Sequence, residues 1–296
     1  MHPPPDIAGF LRPGTLGEAV RLLSESLAAP IAGGTDLLPR RQGGRTGAAG
    51  KTLVDITGLG LNNIRETQDE ILLGAATEVN ALVSCPVFSS SPYNIMAQAA
   101  LAHSTLTLRN RATLGGNLCN ASPHADLALP LLALDALAGI EGPRGPRTLD
   151  LAEFFLGPHC TALEPSELLV EIRIPRIGED CGAHFTKLTR QHTAVDMAVV
   201  NVATRISIKD GICTSARIAL GSVGPVPFRA KKAEALLETR ALDREALTAA
   251  ALMAAGEASP LDDIRATAAY RKKMIPVLVR DSLEKSLAKS LKRRAE

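Results

Sequence analysis

The sequence predicts an α+β chain: a mixed N-terminal part of strands and helices, followed by an antiparallel sheet with a helical pack. Three observations predict it. The first 57 residues have a strand–helix–strand rhythm. Strand-like runs follow one another at residues 183–189, 198–208 and 216–222. From residue 229 onward Ala, Leu, Lys and Glu recur in a helical pattern.

Taken in order, Thr15 and Glu18 fit a capping box, and Ala19, Val20, Leu22, Leu23 and Leu27 give a helical apolar face to about residue 28. Residues 30–32 are a short strand that meets Gly33 and Gly34, and a second helix is predicted near 37–42. Residues 42–50 are Gly-rich and basic and read as a loop, before a strand at 53–56. Between 71 and 83 a strand precedes a short helix starting at Thr77, and 92–102 is helical. Residues 113–126 hold too many Gly, Asn, Ser and Pro for a regular element. A helix resumes at 127–134, residues 141–147 (EGPRGPR) read as a turn, and 168–174 as a strand ended by Pro175. Residues 176–180 look like a boundary, and 290–296 like a frayed tail.

Composition excludes several classes of function. At 46% apolar and 22% charged the chain is not a disordered one. A net charge of +2 provides no field for a nucleic-acid backbone. With no Trp and only Tyr93 and Tyr270 as tyrosines, a stacking platform for single strands is hard to build. The start MHPPPD lacks an export pattern, and the longest apolar run, around 127–134, is far short of a membrane span, so a cytoplasmic location is expected. Cys85, Cys119, Cys160, Cys181 and Cys213 form no CxxC pair, which supports neither a zinc ribbon nor an iron–sulfur ligand run on this chain. They read as buried or idle thiols. The six histidines show no metal-ligand spacing, and no metal site is expected.

Two phosphate-loop mimics are set aside. Residues 45–52 (RTGAAGKT) have Arg45 where a P-loop needs Gly, and a strand follows them rather than a helix. Gly58 and Gly60 begin a dinucleotide fingerprint that breaks at Asn63. The informative segments are 32–36 (AGGTD) and 113–117 (TLGGN), each with a double glycine beside small polar residues. Glycine lets a backbone approach a ligand closely, and consecutive amides in such turns form a concavity for phosphate oxygens. The first segment also stands at the predicted helix start, whose dipole favours an anion. Singly, each reads equally as a tight turn; two of them about eighty residues apart suggest one diphosphate held between two loops. Within residues 122–126 (SPHAD), Asp126 reads as an acceptor for a ligand hydroxyl and His124 as a surface residue. Five adjacent residues do not make a converging hydrolase triad.

The segments 31–37 (IAGGTDL), 109–136 (RNRATLGGNLCNASPHADLALPLLALDA) and 168–175 (LLVEIRIP), with Lys187 and residues 219–236, together resemble the FAD-binding subunit of molybdenum hydroxylases, the xanthine dehydrogenase and carbon monoxide dehydrogenase family. The likeness runs through nearly the whole chain in the expected order. It implies a two-subdomain FAD-binding fold of the p-cresol methylhydroxylase type, followed by a smaller C-terminal domain of antiparallel sheet plus helices. The domains would be residues 1–178, with subdomains of about 1–57 and 58–178, and residues 179–296. The resemblance implies that Pro30, Ile31, Ala32, Gly33, Gly34, Thr35, Asp36 and Leu37 bind the FAD diphosphate, with Thr113, Leu114, Gly115, Gly116 and Asn117 on its other side. It places His103 near the flavin, Asp126 in contact with FAD, apolar Leu169 beside the cofactor, and Lys187 near the isoalloxazine edge. A cation at that edge would favour reduced, anionic flavin.

The resemblance further implies a large molybdenum–pterin subunit, a small subunit with two [2Fe–2S] clusters, and a dimer of heterotrimers. Electrons would pass from the clusters to FAD on this chain and on to NAD or another acceptor. No catalytic residue is expected on this chain. Phe185 stands where many relatives carry Tyr; it can still pack on a ring but has no hydroxyl. Between Asn117 and Asp150 there is only Cys119, so the cysteine-rich insertion of the 4-hydroxybenzoyl-CoA reductase branch is absent. The alternatives are a stand-alone flavin oxidase of the same fold, for which no substrate cap is evident, and a scaffold that has lost FAD, against which the intact glycine pairs argue.

Overall fold

The computed structural model describes residues 7–25, 27–39, 48–178, 180–191 and 195–293. They form three sheets and one two-stranded ribbon, with helices between them. The N-terminal lobe contains β1 (Gly9–Leu11), α1 (Leu16–Glu25), β2 (Ala28–Ile31) and β3 (Thr52–Asp55), the strands pairing in parallel in the order β1-β3-β2. The capping box forms in a shifted version. Thr15 Oγ1 accepts from the Glu18 amide at 3.2 Å, while the Glu18 carboxylate accepts from the Gly14 amide at 2.7 Å. The helix ends at Glu25 rather than near 28, because residues 28–31 leave it to pair with β3. There Ala29 and Ile31 are buried with Leu53.

Among the described residues up to 39 no helix follows the first double glycine. Residues 35–39 form turns instead, and residues 40–42 lie outside the described residues, as do residues 42–47 of the predicted basic loop and the start of the P-loop mimic. Gly34 has φ +70°, a left-handed conformation that suits glycine, and its carbonyl accepts from the Leu38 amide at 3.2 Å in the turn that follows.

The second lobe is an antiparallel sheet of order β4-β5-β10-β6-β7, formed by β4 (Ile64–Glu66), β5 (Glu70–Gly74), β6 (Leu137–Gly142), β7 (Gly145–Asp150) and β10 (Leu168–Pro175). The sequence reading missed β4, whose burial is slight. The predicted turn at 141–147 narrows to the two residues between β6 and β7, since the hairpin pairing runs on to Gly142 and Gly145. The helices of this lobe are α2 (Val79–Ser84), α3 (Asn94–Leu101), α4 (Leu106–Arg109), α5 (Leu114–Cys119), α6 (Ala128–Ala133) and α7 (Leu151–Phe154), and β8 (Phe155–Gly157) pairs with β9 (Cys160–Thr161) as the ribbon. Helix α5 lies in the stretch predicted to be irregular. Thr113 caps it, its Oγ1 accepting from the Gly116 amide at 3.1 Å, and Leu114 and Leu118 are fully buried. Cap and burial outweigh the poor helix propensity of its two glycines.

The C-terminal sheet is antiparallel, with β11 (Cys181–Leu188), β12 (Val200–Lys209), β13 (Ile212–Gly221) and β14 (Phe228–Arg229) in sequence order. Side chains alternate across it. Ala183, Phe185, Ala203 and Ala219 join the core that holds α3 and α6, whereas Val200, Val202, Ile218 and Leu220 pack with α8 (Lys231–Leu237), α9 (Arg244–Glu257) and α10 (Ala268–Arg293). The predicted frayed tail at 290–296 is helical to Arg293, its last three residues lying outside the described ones. Ser290 is buried and its hydroxyl donates to the Asp180 carbonyl at 3.1 Å. No helix among the described residues is long and apolar enough to cross a membrane.

One ion cluster ties the second lobe to the C-terminal sheet. Asp135, just past α6 with φ +52°, accepts from Arg205, Arg217 (2.8 Å) and Arg229 (2.8 Å). Burial pushes its carboxyl up, but the Arg217 hydrogen bond and the three guanidinium charges outweigh that and hold it below the ordinary carboxylate range. A depressed folded-state value means that the stability from this group is full above the unfolded value near 3.8 and is lost as pH falls through the folded one. Asp135→Asn is expected to cost about 1–3 kcal/mol at neutral pH. Urea unfolding at several pH values should show the gap between wild type and variant closing below about pH 4; a gap independent of pH would refute the assignment.

Candidate functional site

A cavity of about 410 Å³ opens where the N-terminal lobe, the start of α5 and the end of β11 meet. That volume is in the range of small-molecule sites. Its walls include residues 30–37, His103, Thr113, Gly116, Asn117, Asp126 and Lys187. The structure thus brings together the whole first loop and six further residues singled out from the sequence.

The first loop meets the residues that lead into the second at Gly33, and beyond it Asn120 Nδ2 donates to Asp36 Oδ1 at 3.4 Å. A Cβ on Gly33 would lie 1.8 Å from the Arg111 carbonyl oxygen and 2.7 Å from its carbon. The loops can close on each other only because residue 33 has no side chain. They differ, however, in what they offer an anion. In the second loop four of the five amides are engaged: Leu114 donates to Thr77 O (2.9 Å), Gly115 to Ala75 O (2.7 Å), Gly116 to Thr113 Oγ1 (3.1 Å) and Asn117 to Thr113 O (3.0 Å). In the first loop the amides of Gly33, Gly34 and Thr35 make no hydrogen bond among the described residues. Three successive unengaged amides therefore lie on the first loop, in a turn and not at a helix start, and the Thr113 amide is unengaged at the head of the second. The second loop contributes a wall open at Gly116 and the Asn117 side chain, whose Oδ1 is buried without a hydrogen-bond partner. A buried orphan acceptor is costly, and a ligand hydroxyl or N–H would satisfy it. These features fit a large, polar, diphosphate-bearing ligand such as FAD.

Three predicted residues do not line the cavity. Leu114 and Leu169 are buried in the core, and Gly115 sits beneath the wall, where a Cβ would come within 2.7 Å of the Ala75 carbonyl oxygen. They support the site from behind. Phe185, read as able to pack on a ring, is likewise in the core.

At the cavity floor Lys187 Nζ donates to Asp126 Oδ2 at 2.8 Å and to the Ala102 carbonyl at 3.0 Å, and His103 Nδ1 lies 3.5 Å from the same carboxylate oxygen. The Lys187 and Asp126 side chains are only 7% and 5% exposed. The cavity therefore presents an ion pair where the resemblance implied a Lys near the isoalloxazine edge. His124 also departs from expectation. It is half-buried, lines the cavity and places Nδ1 2.9 Å from Ser222 Oγ. Burial, with the charges of Arg265 and Arg271, holds its ring below the ordinary range, against Asp263 and a hydrogen bond to the Ala198 backbone.

Sequence reasoning missed Asn120, which lines the cavity, and Asn201, which is fully buried and donates through Nδ2 to Asp126 Oδ1 at 3.1 Å. Asn120 lies three residues after Asn117, a same-face helical spacing. Asn201 is a lone amide inside the apolar run AVVNVA, a pattern that asks for a buried partner.

Residues 6–177 match the family described as the FAD binding domain in molybdopterin dehydrogenase, and residues 183–286 the CO dehydrogenase flavoprotein C-terminal domain. The chain is 32% identical over 284 residues to the carbon monoxide dehydrogenase medium chain of Afipia carboxidovorans, covering 95% of this chain and 97% of that one. It is 30% identical over 288 residues to the xanthine dehydrogenase FAD-binding subunit of Escherichia coli O157:H7, covering 96% and 97%. Among solved structures it superposes on a chain of the carbon monoxide dehydrogenase of Hydrogenophaga pseudoflava with a TM-score of 0.90 at 33% identity, covering 97% and 99% of the two chains. On a chain of quinoline 2-oxidoreductase from Pseudomonas putida 86 the TM-score is 0.87 at 26% identity, with 98% and 100% covered.

Proposed function

Because this chain belongs to the FAD-binding subunits of molybdenum hydroxylases, the family of the carbon monoxide dehydrogenase medium chains and xanthine dehydrogenase FAD-binding subunits, we propose that it passes electrons from iron–sulfur clusters to an electron acceptor. In this reading a small subunit with two [2Fe–2S] clusters delivers the electrons, and a large molybdenum–pterin subunit oxidises the substrate. NAD or another acceptor receives them, and the complex is a dimer of heterotrimers. Residues 1–178 form the FAD-binding domain and residues 179–296 the C-terminal domain. Bound FAD supplies the exchange between one-electron and two-electron chemistry.

The chain's own work is binding and orientation. The amides of Gly33, Gly34 and Thr35 meet diphosphate oxygens, and Asn117 Oδ1 accepts from a cofactor donor. Asp126 and Lys187 set the polarity of the floor. The observation that carries the reading is the loop pair itself: the first loop packs on Arg111, just ahead of the second, with unengaged amides at Gly33, Gly34 and Thr35 and an orphan acceptor at Asn117.

The test is native purification of this chain from its source cells, with an absorption spectrum of the eluate. Two co-purifying chains with flavin and iron–sulfur bands are expected. A lone yellow chain that turns over without partners would overturn the reading in favour of a self-contained flavin oxidase.

A further inference from the structure

Behind the cavity floor a chain of polar side chains runs through an otherwise apolar interior. Asp126 Oδ1 accepts from Asn201 Nδ2 at 3.1 Å, Asn201 Oδ1 lies 3.1 Å from Ser222 Oγ, and Ser222 Oγ lies 2.9 Å from His124 Nδ1. Asn201 is fully buried and Ser222 nearly so. The direction of every link follows from the first. A carboxylate only accepts, so Asn201 must turn its amide nitrogen to Asp126 and its oxygen to Ser222. That oxygen only accepts, so the single Ser222 hydroxyl proton goes to Asn201. With the Ser222 proton so directed, His124 Nδ1 donates to Ser222 Oγ, in competition with the Ala198 backbone acceptor beside the ring.

The backbone holds this arrangement firmly. Ser222 has φ +65°, its amide donates to Pro123 O at 2.7 Å, and its carbonyl accepts from Arg271 at 2.8 Å. A non-glycine residue kept in the left-handed region persists where its surroundings over-determine it, and such residues cluster at functional sites. Both ends of the chain, His124 and Asp126, line the cavity. The ring is faced by the Ala198 backbone and by Arg265, Arg271 and Asp263.

We propose that Asn201 and Ser222 are positioning residues of the FAD cavity: they join His124 to Asp126 in one directed hydrogen-bond chain that fixes a proton on His124 Nδ1 and the orientation in which Asp126 meets the cofactor. The function assigned to the chain rests on the FAD reading above; its existence does not. Neither Asn201 nor Ser222 lines the cavity, so both act through their neighbours.

The test uses the full chain labelled with ¹⁵N-histidine, free of flavin, together with FAD titration by fluorescence. Wild-type His124 should show the Nδ1–H signature. Ser222→Ala, and Ser222→Gly, which suits the left-handed backbone, should both lose it, and FAD affinity should fall about tenfold. Asn201→Asp keeps the side-chain shape but removes the donor to Asp126, and should weaken FAD binding to a similar degree. A His124 signature indifferent to Ser222 would overturn the chain, even if FAD binding weakens, because a merely structural hydroxyl would not set the ring proton. Unchanged FAD affinity in all three variants would overturn the positioning role. If the ring signature follows Ser222 while the wild-type chain binds no FAD, the hydrogen-bond chain is supported and the FAD reading is what fails.

Discussion

Gly33→Ala is expected to yield a chain that no longer retains FAD. The added methyl would sit 1.8 Å from the Arg111 carbonyl oxygen and 3.2 Å from the Ala112 Cα. Both neighbours are backbone, so no rotamer change relieves the clash, and the loops must part. Overpacking of this kind costs roughly 1–3 kcal/mol or more. Loss of the aligned amides removes several hydrogen bonds to a charged group, each about 1.5–3 kcal/mol, enough for more than a hundredfold loss of affinity. Gly34→Val should also lose FAD, since φ +70° is strained for a β-branched residue. Gly116→Val should be milder than Gly33→Ala, because the new Cβ meets a side-chain hydroxyl and not backbone, but it displaces the Thr113 hydroxyl that caps α5. The flavin-to-protein ratio after gel filtration, with thermal unfolding alongside, checks all three. Stoichiometric FAD in Gly33→Ala would refute the loop contact. Gly17→Ala is the control: it lies in α1 with open space around its Cβ, and should gain about 0.5–1 kcal/mol with full FAD retention.

Lys187→Met should lower the flavin midpoint potential and destabilise the fold by about 3–5 kcal/mol, the usual result of removing one partner of a buried pair. Asp126 would be left beside the cofactor with Asn201 and no cation. An uncompensated carboxylate opposes the arrival of further negative charge, so reduction becomes harder. The sign is what an isolated cation would give, but the cause is the exposed charge of Asp126. The double variant Lys187→Met with Asp126→Asn separates the two. It removes both charges, and should recover most of the potential and much of the stability. Spectroelectrochemical titration decides: a double variant as low in potential as Lys187→Met alone would show that Lys187 acts by itself.

Much of this site was legible in the chain. The glycine pairs stand out as a backbone that needs no Cβ and Asp126 as an acceptor among small polar residues, both local signals, whereas Lys187 came only from the family resemblance. Of the helix expected at 37–42, the described residues 37–39 form a turn that follows the left-handed Gly34. Helix α5 was hidden because propensity disfavours two glycines, while its cap and its buried leucines answer to the rest of the fold. Leu169 matched an apolar position that turned out to face the core.

By itself, then, the sequence determined the α+β class, the order of the strands and helices in broad outline, and the two loops that flank the cavity. Periodicity and glycine content are properties of neighbouring residues, and burial reads them directly. Only the tertiary structure decided which loop has amides to offer, that Lys187 arrives already paired, and that Asn201 and Ser222 link His124 to Asp126. Those facts depend on hydrogen-bond partners far apart in the chain, such as Asp126 and Asn201, 75 residues apart. A donor's partner is chosen when the sheets and loops close on one another, and no local pattern encodes that choice.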